Sequence, residues 1–272
     1  MTDTAISIVR AQHKVLAGRL RQAYGSGPVA PLRDGLDPTD ARGAYAVQET
    51  NTRFWEAQGR RIVGRKIGLT AKAVQAQLGV DQPDYGVLFE DMAIANGGVL
   101  DPARVLQPKA EAEVALVLKL DLYGPAVTPE QVFAATAYAL PAIEIVDSRI
   151  ADWRVQLADT VADNASAGRV VLGSRVTPAT AVDLRLAGML LYRNGSPVES
   201  GAGAAALGNP VRCLSWLANR LLPPQRGLCR GDIVLSGPLH RLVPVRPNDI
   251  YEVQFAHLGT VTVGFGGEGA AA

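Results

Sequence analysis

Three glutamates lie in segments that otherwise have the composition of buried strands. Glu111 and Glu113 alternate in QPKAEAEVALVLKL at 107–120, and Glu144 lies in the apolar run LPAIEIV at 140–146. In a strand, alternate residues share one face, so the first two carboxylates would point the same way. Neighbouring carboxylates that lose their hydration need a cation or a proton. Oxygen ligands without a histidine or cysteine cluster favour a hard divalent ion such as Mg²⁺ or Mn²⁺.

An ion pair is the alternative explanation of these glutamates. On a half-exposed edge strand, Glu111 and Glu113 could pair with a basic side chain instead of a metal ion. Lys109 and Arg149 are the candidate bases. Two acids at alternate positions are a weak pattern, so spacing alone leaves both interpretations open.

Two further residues could handle protons. Lys66 lies among glycines and apolar residues in VGRKIGLT at 63–70, where desolvation can move the pKa of a lysine toward neutrality. Asp84 lies in GVDQPDYG at 79–86, a turn-rich segment that favours a loop. The alternatives are a surface lysine at a strand end and an ordinary turn aspartate, and the residues alone favour them.

Composition and charge argue against several classes of function. The chain of 272 residues has 27 basic and 26 acidic side chains, which gives no electrostatic footprint for nucleic acid or an anionic membrane. No apolar run reaches the length of about 18 residues that predicts a membrane span, and the first ten residues do not resemble a signal peptide. Cys213 and Cys229 match no zinc or redox spacing. We therefore expect a cytoplasmic protein without nucleic-acid or membrane partners.

Secondary-structure patterns predict helices before about residue 60 and mainly strands after it. Apolar residues recur at helical spacing on both sides of a Gly- and Pro-rich connection at 25–38. Predicted strands lie at 61–67, 112–120, 142–146, 169–172, 189–192, 233–235, 250–255 and 260–265. Predicted helices lie at 71–78, 129–138 and 210–222, and the segment 264–272 is expected to fray. Strands that do not alternate regularly with helices predict an α+β fold.

Two other motifs give little support to rival chemistries. Asn164-Ala-Ser166-Ala-Gly168 departs from a nucleophile elbow at its first position, and no segment marks a histidine as its base. Gly201–Ala206 fits a relaxed dinucleotide fingerprint, but it follows a segment that is predicted as a polar turn rather than a strand. A serine hydrolase and a dinucleotide-binding protein are therefore weakly supported.

Several segments together resemble the 2-keto-4-pentenoate hydratase branch of the hydratase/decarboxylase family, which is related to the fumarylacetoacetate hydrolase superfamily. The matching segments are GRKIGLT (64–70), AVQAQLGVDQPDYG (73–86), QPKAEAEVALVL (107–118), LPAIEIVDSRIADW (140–153), DTVADNAS (159–166) and GAGAAALGNPV (201–211). They extend over most of the chain from Arg61, and their combination is specific although each alone is weak. Ala167 departs from the family, where many relatives carry cysteine.

The resemblance implies a fold and a set of site residues. The fold is a mixed β-roll or sandwich of the fumarylacetoacetase C-terminal type over 61–272, with an N-terminal helical segment over 1–60 in the same structural unit. The implied ligands of Mg²⁺ or Mn²⁺ are Glu111, Glu113 and Glu144. The implied catalytic residues are Lys66 and Asp84. The implied substrate-binding residues are Asp163, Asn164 and Ser166.

The implied activity is a metal-dependent hydro-lyase that adds water to 2-hydroxypenta-2,4-dienoate, giving 4-hydroxy-2-oxopentanoate in meta-cleavage catabolism of aromatic compounds. A 4-oxalocrotonate decarboxylase is the nearest alternative. A fumarylacetoacetate-type carbon–carbon hydrolase would want a histidine near the acidic motifs, and a non-catalytic partner subunit would not need the ionisable set. The resemblance also implies a cyclic homo-oligomer, and a decarboxylase or aldolase of the same pathway is a further candidate partner.

Overall fold

The computed structural model describes residues 3–221 and 226–267. Six α-helices lie in these ranges: α1 Asp3–Ser26, α2 Ala41–Ala57, α3 Lys72–Leu78, α4 Pro129–Ala135, α5 Leu157–Ala162 and α6 Pro210–Arg220. The strands of the same ranges are β1 Ile62–Gly68, β2 Asp84–Phe89, β3 Ala93–Ile94, β4 Val99–Leu100, β5 Pro108–Leu118, β6 Thr136–Asp147, β7 Ala167–Leu172, β8 Thr177–Pro178, β9 Gly188–Arg193, β10 Ser196–Ala202, β11 Ile233–Leu235, β12 Val243–Pro244, β13 Ile250–Phe255 and β14 Gly259–Phe265. The predicted α+β class is confirmed.

The larger sheet carries the acidic segments. Its strand order is β2-β1-β11-β5-β6-β7-β3, with β12 also paired to β5 and β8 to β6. β5 and β6 are antiparallel, in a register that places Glu111 directly opposite Glu144. β11 is parallel to β1 and antiparallel to β5. This order places β5 and β6 inside the sheet and makes their backbone hydrogen bonding independent of solvent.

The smaller sheet has the order β10-β9-β13-β14-β4 and shares a hydrophobic core with the larger one. Ile143 and Ile145 of β6 belong to that core together with Val253 of β13 and Val261 of β14, and all four are fully buried. β13 alternates buried and more exposed residues, as expected for a strand with one face against a core. β5 and β6 are buried along nearly their whole length, which explains their continuous apolar sequence.

The N-terminal helices pack against α5, which contacts β2 of the larger sheet. α1 and α2 pack on α5 through a separate apolar cluster that includes Leu16, Val47 and Val161. Asp40 caps α2 by accepting a hydrogen bond from the Gly43 amide at 2.8 Å. In the described part of the chain, no helix is long and apolar enough to cross a membrane.

Several predicted elements differ from the structure. The helix predicted to extend to 138 ends at Ala135, because Thr136 begins β6 and joins the sheet. Asp84 begins β2 rather than lying in a loop, because 84–89 pairs with β1, a partner 16 or more residues away in sequence. Helix α5 lies outside the predicted helices and includes the first residues of the matching segment 159–166. Residues 222 and 268–272, included in predicted segments, lie outside the described residues.

The polar turn predicted before Gly201 is present, but it is the turn of a β-hairpin, so Gly201 lies in a strand. Asn194 and Gly195 both have positive φ values, 53° and 80°, and they join β9 to β10 with Arg193 paired to Ser196. Positive φ at both central residues is the geometry of a type I′ turn, which Asn-Gly favours. The sequence therefore contained a hairpin signal that was interpreted only as a turn.

Candidate metal centre and active site

Three buried carboxylates meet between β5 and β6. Carboxylate oxygens of Glu111, Glu113 and Glu144 all lie within 4.8 Å of one another, and the side chains are 3% exposed or less. The alternative of an edge strand with ion pairs is excluded. Lys109 lies over the Trp153 ring at 4.0 Å, and the Arg149 guanidinium pairs with Asp163.

The oxygen atoms of this cluster lack enough hydrogen-bond donors. Glu113 Oε2 accepts a hydrogen bond from the Gly237 amide at 2.7 Å. Glu113 Oε1 and both carboxylate oxygens of Glu144 accept none, although Lys66 Nζ lies 3.3 Å from Glu144 Oε1 as an ion pair. Buried carboxylate oxygens without donors are costly, and a divalent cation satisfies several of them at once. The residues present therefore fit a hard divalent ion.

Burial and crowding raise the pKa values of these carboxyl groups. Burial raises the pKa of Glu111 to about 8, with the Glu144 carboxylate adding to the effect. Burial also raises the pKa of Glu113 well above its usual range, again with Glu144 as the main charged contributor. The pKa of Glu144 is raised by burial too, although Lys66 opposes the shift. Binding of a cation therefore competes with protonation of these groups.

Metal affinity should therefore rise with pH. Glu111, with a pKa of about 8, is largely protonated at pH 6 in the cation-free protein. At pH values below that pKa, each proton that binding displaces should raise the affinity for Mg²⁺ roughly tenfold for every unit of increase in pH. Isothermal titration calorimetry between pH 6 and 9, in buffers of different ionisation enthalpy, measures both affinity and proton release. An affinity that is constant between pH 6 and 8 would contradict the assignment.

The same shift predicts how pH affects the stability of the cation-free protein. The carboxyl group of Glu111 is protonated up to about pH 8 in the folded chain but ionises near pH 4.5 when unfolded. Its contribution to stability is therefore fully present below pH 4.5 and is lost as the pH rises to 8. Thermal unfolding with chelator present should show the midpoint falling over this range, and saturating Mg²⁺ should reverse the fall.

Lys66 lies beside the carboxylates on β1. Its side chain is buried, and Nζ donates a hydrogen bond to the Ala165 carbonyl at 2.9 Å. Burial alone would lower the pKa of Lys66, but the neighbouring carboxylates, Glu144 foremost, raise it above its ordinary value. The expectation that its pKa moves toward neutrality is therefore wrong, and this side chain is a fixed cation.

Asp84 faces Lys66 across the β1–β2 pair. Asp84 Oδ2 accepts a hydrogen bond from the Thr160 hydroxyl at 2.9 Å, whereas Oδ1 is buried and accepts none. Burial raises the pKa of Asp84, although Lys66 opposes the shift. Gly68 is paired with Asp84, and a Cβ there would lie 2.1 Å from Asp84 Oδ1. Only glycine at position 68 leaves room for this carboxylate to approach.

The loop after α5 has an uncommon backbone. Asn164, Ala165 and Ser166 have φ values of 56°, 51° and 52°, and each left-handed non-glycine residue costs about 1–3 kcal/mol. Ser166 Oγ is buried without a hydrogen-bond partner. The Asn164 amide instead bonds both backbone groups of Val87, at 2.7 and 2.9 Å. Among the predicted substrate-binding residues, Ser166 alone lines the cavity described next, while Asp163 and Asn164 hold the loop.

A small cavity joins these groups. Its polar lining comes from Lys66, Asp84, Glu111, Thr160 and Ser166. Its apolar lining comes from Leu69, Val74, Leu78, Val146, Trp153 and Leu242. Sequence reasoning did not single out Thr160, which fixes Asp84, or Gly237, which donates to Glu113. Thr160 lies in the matching segment 159–166, but no sequence signal indicated Gly237.

This arrangement defines a class of protein. A carboxylate triad that fits a divalent cation, beside a buried lysine and an aspartate in a small, largely apolar cavity, is the site of a metal-assisted enzyme of enolate chemistry. Residues 61–265 match the fumarylacetoacetate (FAA) hydrolase C-terminal family. The chain belongs to that family.

Individual relatives extend the match over nearly the whole chain. The chain is 50% identical over 250 residues to 2-keto-4-pentenoate hydratase 2 of Dechloromonas aromatica, covering 92% of this chain and 95% of the relative. It is 51% identical to the TodF product hydratase of Pseudomonas putida, covering 92% and 93%. A solved structure of 4-oxalocrotonate decarboxylase from Pseudomonas putida G7, complexed with magnesium and adipate, superposes with a TM-score of 0.89 at 36% identity, covering 94% and 98%. These findings confirm the predicted family and fold, and the relatives' names agree with the predicted hydratase activity.

Proposed function

We propose that this protein is a divalent-metal-dependent hydro-lyase that adds water to 2-hydroxypenta-2,4-dienoate, giving 4-hydroxy-2-oxopentanoate in meta-cleavage catabolism of aromatic compounds. The observation that carries the proposal is the meeting of Glu111, Lys66 and Asp84 on one cavity. Hydratase relatives at about half identity over most of the chain support the same activity. Glu111, Glu113 and Glu144 would hold Mg²⁺ or Mn²⁺, which would supply Lewis-acid stabilisation of the substrate's 2-oxygen.

The chain's own residues have separate tasks in this proposal. Asp84 is the candidate base for water, because its free Oδ1 can accept a proton while Thr160 fixes Oδ2. Lys66 is the electrostatic partner of the developing negative charge, because its ammonium group is buried and fixed by the Ala165 carbonyl. The Ser166 hydroxyl, buried without a partner, is free to bond a polar substrate atom. The substrate's 2-hydroxyl loses its proton and C5 gains one, which gives the 2-oxo-3-enoate. Water then adds its oxygen at C4, which is conjugated to the 2-oxo group, and a proton is taken up at C3.

The apolar wall favours hydration of a monocarboxylate over decarboxylation of 4-oxalocrotonate. The wall contains Leu78, Val146 and Leu242, and within the described lining Lys66 is the one cation, already beside Glu144. A second substrate carboxylate would lose its hydration against this wall without a partner, which is costly. The short hydrocarbon end of the dienoate has no such penalty.

The deciding experiment supplies 2-hydroxypenta-2,4-dienoate and 4-oxalocrotonate separately, with Mg²⁺ or Mn²⁺ and then with chelator. We expect metal-dependent formation of 4-hydroxy-2-oxopentanoate from the first substrate and its loss when the metal is removed. Product analysis by NMR distinguishes hydration from decarboxylation. Release of carbon dioxide from 4-oxalocrotonate without hydration of the dienoate would assign the decarboxylase activity instead.

We further propose a cytoplasmic, cyclic homo-oligomer whose neighbours in the pathway are a decarboxylase or an aldolase. The helical segment 1–60 and the catalytic region 61–272 are proposed to form one structural unit. Contacts of the N-terminal helices with the site region support this. Gln48 of α2 donates hydrogen bonds to the carbonyls of Tyr85 and Val161, at 2.9 and 2.8 Å. Size-exclusion chromatography with light scattering tests the assembly.

A further inference from the structure

Arg149 is a buried guanidinium that does not line the catalytic cavity. It lies two residues beyond the end of β6 and is 2% exposed. Its Nε donates to Asp163 Oδ1 at 2.5 Å, and its backbone amide donates to Asp163 Oδ2 at 3.0 Å. One carboxylate is therefore bound from two sides by a single residue. A buried arginine with this many acceptors is fixed in position rather than mobile.

The remaining donors of Arg149 reach backbone carbonyls at both ends of the left-handed segment. Nη2 donates to the Asp163 carbonyl, which precedes the segment 164–166. Nη1 donates to the Ala167 carbonyl at 2.9 Å, which follows it, and also to the Asp147 carbonyl at the end of β6. The planar guanidinium thus joins the two ends of the loop to the strand that carries Glu144. These hydrogen bonds hold the backbone of 164–166 in its unfavourable left-handed conformation.

We propose that Arg149 is a positioning residue for catalysis, an inference that rests on the proposed hydratase function. By holding the segment 164–166 in its left-handed form, it keeps the Ala165 carbonyl on Lys66 Nζ and the Ser166 hydroxyl on the cavity. Without it, the segment relaxes toward ordinary φ values and both groups move. The metal ligands lie on β5 and β6, so they keep their positions.

Open clefts reach Arg149 from outside the catalytic cavity. Two of them are lined by Arg149 together with Tyr24, Trp55 and Arg60, and the larger has a volume of about 210 Å³. A small cation can therefore enter the space that a truncated side chain leaves. Arg60 lines the same clefts but pairs with Asp91 and does not bond the loop, which makes it a matched control.

The first test replaces Arg149 by lysine, which retains the charge but not the planar fork of donors. We expect Arg149→Lys to lower kcat about 10- to 100-fold, as small misplacements of catalytic groups do. The affinity for Mg²⁺, measured by calorimetry, should stay within about twofold. Arg60→Lys should leave both kcat and the affinity for Mg²⁺ close to their wild-type values. A kcat close to wild type for Arg149→Lys would overturn the proposal, as would a parallel loss of metal affinity.

The second test is chemical rescue. Addition of guanidinium or methylguanidinium at non-denaturing concentrations should restore part of the turnover lost in Arg149→Ala, and ethylammonium should restore less. Failure of every guanidinium compound to raise the turnover of a folded Arg149→Ala variant would count against the positioning role. If Arg149→Ala does not fold, Arg149→Lys decides the question by its kcat and metal affinity.

A third measurement does not depend on activity. Amide hydrogen exchange in the cation-free protein should be faster at 163–168 in Arg149→Lys than in the wild type, with β5 and β6 unchanged. Equal exchange in the two proteins would refute the claim that Arg149 holds the loop. If the wild-type protein does not hydrate the dienoate, the proposed function fails, while the exchange and affinity results still decide what Arg149 holds.

Discussion

Replacing Glu113 by glutamine is expected to abolish metal-dependent turnover while leaving the fold intact. Glu113 Oε1 is buried and has no hydrogen-bond donor, so this oxygen is the one available to a cation. An amide is a neutral and much weaker ligand for Mg²⁺ than a carboxylate. Loss of an outer-shell partner already costs 10–100-fold in metal affinity, so loss of a ligand should cost at least about 100-fold. Calorimetry gives the affinity, and kcat/KM at fixed Mg²⁺ gives the consequence for turnover.

The fold of Glu113→Gln should survive because the change is nearly isosteric. The pKa of Glu113 is raised well above its usual range by burial, so its surroundings already favour a neutral group, which the amide supplies. The glutamine carbonyl can still accept the Gly237 amide that Glu113 Oε2 accepts at 2.7 Å. Glu199→Gln, a partly exposed acid beside Arg241, is the control and should bind metal normally. Wild-type metal affinity in Glu113→Gln would remove this residue from the ligand set.

The sequence predicted the larger part of the fold because its strands have strong local signals. The strand at 233–235 and the strand at 250–255 match their predicted bounds, since β-branched and aromatic residues mark them without help from distant partners. β2 was missed because its first residues, 84–86, lie in a segment typical of a turn, and pairing with β1 makes them part of a strand. The end of α4 was placed too late for a related reason, since Thr136 to Tyr138 belong to the register of β6. Long-range pairing of this kind is not visible in a window of neighbouring residues.

The candidate site was predicted in composition but not in geometry. Spacing placed Glu111 and Glu113 on one face of a strand, but only the register of β5 with β6 brings Glu144 opposite Glu111. The sequence also could not show that the Asn164 side chain bonds Val87 while Ser166 faces the cavity. That distinction depends on three successive positive φ values. Positive φ values cannot be predicted from sequence at residues other than glycine, because such residues rarely adopt them. Tertiary contacts such as those of Arg149 determine the conformation of this loop. They join residues that are too far apart in sequence for a local pattern to reveal.

Replacing Lys66 by methionine is expected to lower kcat about 10²- to 10⁴-fold, the range typical for loss of a positioned proton-handling or charged catalytic group. Methionine fills a similar volume in the buried site but carries no charge for the developing enolate. Metal affinity should be unchanged or higher, because Lys66 Nζ lies 3.3 Å from Glu144 Oε1 and competes with a cation for that carboxylate. The variant thus separates turnover from metal binding. Kinetics at saturating Mg²⁺ and calorimetry on the same preparation measure the two effects.

The matched control for this variant is Lys119→Met, which makes the same chemical change at an exposed position and should alter neither quantity. Lys66→Met leaves the Ala165 carbonyl without the donor that it has at 2.9 Å, so a loss of about 1–3 kcal/mol in stability is expected. Thermal unfolding must therefore accompany the kinetics, and Mg²⁺ should stabilise the variant at least as strongly as the wild type. Unchanged kcat in folded, metal-bound Lys66→Met would exclude Lys66 from catalysis. A kcat that falls only in proportion to lost metal affinity would instead assign Lys66 to the support of the carboxylates, leaving Asp84 as the remaining proton-handling group of the cavity.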